Sequence, residues 1–308
     1  MGKKTFIVDE TWEDLRIDKY LSMLMEGYSR SYIQKIISDQ AVSVNGKPVK
    51  ANYRIRIGDV VVIDIPDPVI LDVKPENIPL DIIYEDQDVL LINKPKDMVV
   101  HPAPGHFSGT LVNAVMYHCG DQLSTINGVL RPGIVHRIDK DTTGVLVICK
   151  NDRAHKAIAE QLSVHSITRA YHAIVYNNLT EDTGTIDAPI GRMTTDRKKM
   201  GINYKNGRLA VTHYRVLERF GRYTYIECRL ETGRTHQIRV HMASIGHPLL
   251  GDTIYGPAKD SFKLQGQALH AKVLGFIHPT TGEYMEFEAP LPEYFTDLLL
   301  KLRNSHRA

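Results

Sequence analysis

Residues 131–150 read RPGIVHRIDKDTTGVLVICK. Arg131-Pro132-Gly133 makes a turn, and Ile134-Val135 leads into His136, Arg137, Ile138, Asp139, Lys140, Asp141, Thr142, Thr143 and Gly144, after which the chain becomes apolar. Five ionisable side chains, counting the histidine, thus stand between an apolar pair and a run composed like a buried strand. Loops anchored by rigid strands are where functional groups concentrate. A salt-bridged surface turn is the bland alternative. Runs of the same kind recur after residue 82, as DVLLIN, AYHAIVY, RYTYIECRL, KVLGFIH and EYMEFEA. Helical patterns are fewer: Leu111–His118, Asp152–Ser163, roughly Thr235–Ile245 ending at Gly246, and Glu293–Leu302. Many strands with few interspersed helices predict an α+β domain over 82–308, built on a mixed or antiparallel sheet and not a doubly wound one.

Upstream the pattern changes. Trp12–Leu24 places Leu15, Ile17, Leu21 and Leu24 near one helical face, with Gly27 closing the helix. Ser29 is suited to cap a second helix, RSYIQKIIS, whose stripe is Ile33, Ile36 and Ile37. AVSVNGKPV alternates and turns at Asn45-Gly46, a pair that favours a tight hairpin. A Gly58-Asp59 turn and the strand VVVIDI complete a small α+β module over 1–65. Residues 66–81, PDPVILDVKPENIPLD, hold four prolines and several acids and read as a linker.

Composition bounds the possibilities. The 308 residues are 43% hydrophobic and 24% charged, as in a soluble protein of two domains. No apolar run approaches the roughly 18 residues that span a bilayer. The N-terminal MGKKTFIVDETWED lacks the apolar core of a secretory signal. Three scattered cysteines, Cys119, Cys149 and Cys228, are too few for a disulfide framework or a cysteine-rich zinc site. The expectation is a reduced, cytoplasmic protein. The net charge of +2 conceals two basic blocks. Arg30, Lys35, Lys47, Lys50, Arg54 and Arg56 face only Asp39 between residues 28 and 56, and Arg192, Arg197, Lys198, Lys199, Lys205 and Arg208 face only Asp196 between 192 and 208. Either block alone reads as a solvated face, but such patches are also what a polyanion contacts. The chain lacks G-x-x-x-x-G-K, G-x-G-x-x-G, H-E-x-x-H, C-x-x-C and G-x-S-x-G, the usual marks of nucleotide, dinucleotide, zinc and serine-hydrolase chemistry.

A second polar concentration is LETGRTHQIRVH, residues 230–241. In a helix, His236, Arg239, Val240 and Ala243 fall on one side. A five-residue separation of His236 and His241, with no acid beside them, makes a poor metal site. An inward guanidinium at Arg239 needs an acid, and Asp139 or Asp141 could supply it. Tyr171, in TRAYHAIV, alternates with apolar residues and taken alone reads as strand packing.

Arg16-Ile17-Asp18-Lys19-Tyr20-Leu21, Ser29-Arg30-Ser31, Val42 to Gly46 and Gly58-Asp59 together resemble the S4 RNA-binding domain. GIVHRIDKDTTGVLVICKN resembles the H-R-x-D-x-x-T-S/T-G signature of the RluA-type pseudouridine synthases, with Thr143 where many members carry serine. TRAYHAIV, LETGRTHQIRVHMASIGHPLLGD and the upstream IYEDQDVLLINKPKDMVVHPAPGHFSGTLVNAV are similar to further motifs of that family. The resemblance runs from about Ile82 onward, and with the S4-like front it is nearest the RluD-like branch, which acts on large-subunit ribosomal RNA. It implies a catalytic aspartate at Asp139, an active-site tyrosine at Tyr171 and a pairing of Arg239 with Asp139, Arg234 being the lesser candidate for that pairing. It implies RNA contacts from Arg137, His136 and Arg234, and from Arg30 and Lys35 on the second helix of the first domain. RNA is then the partner, no metal or other cofactor is required, no membrane is involved, and a monomer suffices.

The chemistry fits these residue types. Turning uridine into its C-glycoside breaks one bond to the sugar and makes another, with no redox change. The base must leave its stack first. A planar cation such as Arg137 can fill the gap, and a tyrosine face can hold the ring. A carboxylate acting as nucleophile or base must be ionised, which a neighbouring guanidinium favours. The competing readings are a non-catalytic RNA-binding ribosome-assembly factor, and a small-molecule hydrolase built on His136 and Asp139.

Overall fold

A computed structural model describes residues 3–25, 28–64, 73–102, 106–128, 131–193, 196, 199–257 and 262–307. The chain falls into two compact units, Met1–Ile70 and Leu71–Ala308. Gly27, Arg197, Lys198 and the first half of the expected linker lie outside the described residues.

In the first unit β1 (Lys3–Ile7), β4 (Val60–Asp64), β2 (Val42–Val44) and β3 (Lys47–Pro48) form one antiparallel sheet in that order. Helices α1 (Ile17–Leu24) and α2 (Arg30–Ser38) cover it. Ser29 caps α2, accepting from the Tyr32 N–H. Helix α1 is shorter than its apolar spacing predicts. Residues 14–17 are drawn into backbone pairing with 53–55, Asp14 N to Ile55 O, Ile55 N to Leu15 O and Ile17 N to Tyr53 O, and Asp14 takes a left-handed φ of 59°. Tertiary hydrogen bonds outweigh local helical preference there. Strand β1, exposed along most of its length, is an element that the sequence reading did not contain.

The second unit carries β5 (Ile82–Glu85), β6 (Val89–Lys94), β7 (Thr143–Cys149), β8 (Thr168–Tyr176), β9 (Thr183–Asp187), β12 (Val211–Arg219), β13 (Tyr223–Leu230), β14 (Leu269–Ile277) and β15 (Tyr284–Glu288) in one sheet. The order is β5-β6-β7-β14-β8-β13-β12-β9, with β15 on β14. All neighbours are antiparallel except β7 and β14, which meet through two residue pairs, Thr143 with His270 and Ala271 with Gly144. The sheet is mixed, as expected. At this parallel seam a β-carbon on Gly144 (φ 112°) would stand 2.2 Å from the Ala271 carbonyl, so glycine is required. A separate hairpin pairs β10 (Ile190–Arg192) with β11 (Met200–Ile202).

Four helices cover the faces. Against β6 and β7 pack α3 (Leu111–Cys119) and α4 (Asp152–Ser163), through Leu111, Val112, Val115, Ala154 and Ile158. Helix α5 (Gln237–Ser244) sets Ile238 and Met242 on the face carrying Ala173, Val175, Ile226 and Cys228. Helix α6 (Glu293–Arg307), longer than predicted, sets Phe295, Leu298, Leu299 and Leu302 against Ile174 and Tyr225 on the other face. Each such aliphatic side chain contributes roughly 1.5–3 kcal/mol of burial. Residues 73–81 are no free tether: Val73 is buried in the core of the second unit, Ile78 and Leu80 pack against it, and Asn113 bonds the Lys74 carbonyl. Among the described residues, no helix is long and apolar enough to cross a membrane.

Candidate active site

One row of the sheet aligns the principal groups. Lys94 on β6 stands beside Gly144 on β7, then Ala271 on β14, Tyr171 on β8, Cys228 on β13 and Tyr214 on β12. The loop entering Gly144 carries Asp139. Its turn is closed by the Thr142 N–H on the Asp139 carbonyl, and Gln267 donates to the Thr142 hydroxyl. Behind it the buried Lys94 ammonium donates to the carbonyls of Pro95, Met98 and Lys140 at 2.7, 2.9 and 2.9 Å. Burial pushes the Lys94 pKa down to about 7 against the opposing pull of Asp141 and Asp139. Backbone of the loop is therefore fastened to the sheet core, and only its side chains face the opening.

Asp139, Tyr171, Arg239, Arg137, Arg234 and His236 line one cleft, with Ile138, Leu230 and Leu269 as its apolar wall. Arg239 Nη1 donates to Asp139 Oδ2 at 2.8 Å. The other edge of the guanidinium is occupied: Nε and Nη2 donate to the two oxygens of Asp252 at 2.7 and 2.9 Å. Asp252 is fully buried and also accepts from the Ile254 and Tyr255 N–H groups. Burial opposes the charge on Arg239, but Asp252 and Asp139 more than offset it and raise its pKa. Burial likewise raises the Asp252 pKa, and Arg239 reverses the shift to leave it below the usual range. One rigid fork thus joins a structural acid to a second acid facing the cleft.

The sequence reading missed Asp252. It did identify the need for an acid near Arg239, and the GD pair of the stretch LLGD lies only 13 residues further along. Asp141, the other candidate, does not pair with Arg239 and instead packs against Gly266.

Tyr171 presents its ring to the cleft from the middle of β8. Its hydroxyl has no protein hydrogen-bond partner among the described residues. Burial raises its pKa, Arg169 opposing and Asp139 reinforcing, so the phenol is neutral. Arg169, two residues earlier, is buried, with Nη2 on the Glu231 carbonyl. Gly233 makes room for it, since a β-carbon there would lie 2.5 Å from Nη1. Arg137 is exposed at the rim with no protein partner among the described residues. Arg234 reaches the cleft from a loop pinned by its N–H on Gln237 Oε1 and its Nε on the Leu209 carbonyl; it does not bond Asp139.

His136 is placed differently from the expected RNA contact. Its Nε2 accepts from the Val147 N–H at 3.1 Å, filling a ladder position on β7, and it does not line the cleft. Burial, with Arg169 adding to it, pushes its pKa down to about 3. The ring is a neutral structural plug. His241 is also consumed structurally, by the Thr212 hydroxyl and the Ala188 carbonyl. His236 does not sit on the helical face that its spacing predicts: it is the residue before α5, at φ 57° and ψ 22°.

In the first unit, Arg30 and Arg16 both donate to the buried Asp18, as does Gln34 at 2.6 Å. Arg30 and Lys35 are exposed on α2, and Lys35 has no protein partner among the described residues.

Comparison with known proteins identifies the family. The family model described as RNA pseudouridylate synthase matches residues 88–244, and that of the S4 domain matches residues 15–61. An uncharacterized RNA pseudouridine synthase of Bacillus subtilis (strain 168) is 55% identical over 305 residues, 99% of this chain and 100% of its own. The ribosomal large subunit pseudouridine synthase D of Escherichia coli (strain K12) is 43% identical, covering 97% and 94%. Among solved structures, human RNA pseudouridylate synthase domain containing 1 superposes with a TM-score of 0.57 at 26% identity, over 74% of this chain and 96% of that one. By the family model and these relatives, the chain belongs to the RNA pseudouridylate synthase family.

Proposed function

We propose that this protein isomerises specific uridines of large-subunit (23S) ribosomal RNA to pseudouridine, with Asp139 as the reacting carboxylate. The observation that carries the reading is the geometry at Asp139: one oxygen is fixed by a buried arginine, while the side chain stays 19% exposed beside the Tyr171 ring. The RNA class is supported by the names of the relatives and by the S4 unit.

The target uridine leaves its stack, at a cost of a few kcal/mol, to reach the cleft. Arg137, unpaired and at the rim, enters the vacated position. Tyr171 supports the uracil face. The N1–C1′ bond breaks, the base turns, C5 bonds to C1′, the C5 proton is lost to a base or to water, and the freed N1 takes up a proton in its place. Asp139 serves as nucleophile or base in this sequence. No electrons and no group are gained or lost. Arg30 and Lys35 contact RNA phosphates, and the protein works as a cytoplasmic monomer.

The test is Asp139→Asn with a large-subunit rRNA transcript, pseudouridine being mapped by carbodiimide and primer extension. RNA binding is retained and modification disappears. Modification by the variant refutes the assignment of Asp139, and wild-type binding without any isomerised uridine supports an assembly factor instead.

A further inference from the structure

We propose that His236 is a positioning residue for Asp139, its tautomer set by Tyr255 so that an Nε2–H is turned toward the carboxylate. The inference rests on the reading of Asp139 as the reacting group. His236 occupies the N-cap position of α5 yet makes no side-chain capping bond, and it holds a left-handed backbone that, among residues with a side chain, asparagine, aspartate and histidine adopt most readily. This backbone aims the imidazole into the cleft, 17% exposed.

The hydrogen bonds favour one tautomer. Tyr255 Oη accepts from the Met200 N–H at 3.0 Å, and His236 Nδ1 lies 2.8 Å from the same oxygen. Met200 engages one of the two lone pairs of the phenol oxygen, and in the proposed arrangement the phenol gives its own proton to Nδ1. Burial keeps the ring neutral, Asp139 opposing, which leaves the single ring proton on Nε2. Nε2 is 3.7 Å from Asp139 Oδ1. Arg239 holds Oδ2, so the two oxygens face two different donors. The His236 contact is longer than a hydrogen bond and closes with a shift of under about 1 Å, of the kind that catalytic contacts undergo when substrate binds.

The same chain reaches outward. Met200 begins β11, the return strand of the hairpin that carries Lys199 at its turn. Tyr255 also lies beneath the Arg239 guanidinium, 5.1 Å from its ring centre. An RNA contact that moves this hairpin therefore acts on Tyr255, and through it on both groups that hold Asp139.

Two side-chain amides separate the roles. His236→Asn tolerates the left-handed backbone and still offers Tyr255 a partner, but it stops short of Asp139. His236→Gln places an N–H where Nε2 stands. Single-turnover release of tritium from a large-subunit rRNA transcript labelled at uridine C5 reads the rate. His236→Asn slows the step about tenfold or more, His236→Gln stays within about threefold of wild type, and Tyr255→Phe falls between them. Half-saturation by RNA stays put for all three, the melting temperature of His236→Asn is unchanged, and nitrogen NMR finds Nε2–H in the wild type. Equal loss in the Asn and Gln variants, loss confined to half-saturation, wild-type rate in His236→Asn, or an Nδ1–H tautomer each overturns the inference. Asp139→Asn run alongside keeps the two readings apart: tritium release by that variant removes the reading of Asp139 and the inference together. A dead Asp139→Asn beside a fully active His236→Asn removes the inference alone.

Discussion

The tetrapeptide Arg-Ile-Asp-Lys occurs twice, at 16–19 and at 137–140, and the two copies are put to opposite use. Both isoleucines are buried, Ile17 fully and Ile138 at 6% exposure. In the first copy the Asp18 side chain is fully covered, while its partners Arg16 and Arg30 are 41% and 44% exposed. The acid lies under the surface and holds two cations outward. In the second copy Arg239 is the buried member, at 5%, and the acid faces the opening. Burial of one partner decides which charge is presented to a ligand. A four-residue pattern cannot carry that information, because the deciding groups, Gln34 and Asp252, lie elsewhere in the chain.

The contrast can be broken at several points. The largest effect belongs to exchanging the two acids for asparagine in turn. Asp139→Asn removes at least about a thousandfold of the isomerisation rate, whereas Asp18→Asn leaves single-turnover rates within about twofold and weakens RNA binding; equal loss of rate from both erases the distinction. Next comes Asp252→Ala, which strands a buried guanidinium and destabilises the second unit by about 3–5 kcal/mol in urea unfolding. A loss below about 1 kcal/mol would mean that Asp139 alone suffices for Arg239.

A smaller effect concerns acid. Burial raises the Asp18 pKa, but hydrogen bonds from Gln34, Arg16 and Arg30 outweigh it and hold it at about 2. A carboxylate depressed on folding stabilises the fold above its unfolded pKa and loses that contribution as pH falls through the folded one. Asp18 therefore supplies at most about 2 kcal/mol, less for its closeness to solvent, and the supply fades between about pH 4 and pH 2. The stability difference between wild type and Asp18→Asn shrinks over that window; a constant difference contradicts the pairing. The smallest effect is Lys35→Ala, which lowers the slope of log affinity for RNA against log salt by about 1. An unchanged slope removes Lys35 from the interface.

Sequence alone was legible where one pattern dominated. The runs over β6, β7, β8 and β13 are buried on both faces or nearly so, and their aliphatic and aromatic richness marks them, with β6 and β7 nearly unbroken. Strand β12, VTHYRVLER, escaped because one face is solvated and carries His213 and Arg215. Arg239 was legible as an inward cation in need of an acid. Its clamp Asp252 was not, since an acid after glycine looks like any turn. His236 was misplaced on a helical face because periodicity does not register a left-handed residue at the helix entrance. His136, expected as an RNA contact, is a strand's hydrogen-bond acceptor through a ladder vacancy that only the fold creates.

Alternation along β8 has a chemical corollary. Tyr171 faces the cleft, and His172 faces the opposite side, where it meets Tyr225 and Glu227. Because adjacent residues in a strand point to opposite sides, removing one residue from β8 ahead of position 171 would not simply loosen packing. It would deliver an imidazole to the place of a phenol, so that the pairing of β8 with β13 and β14 acts as the proofreader of which functional group faces the cleft.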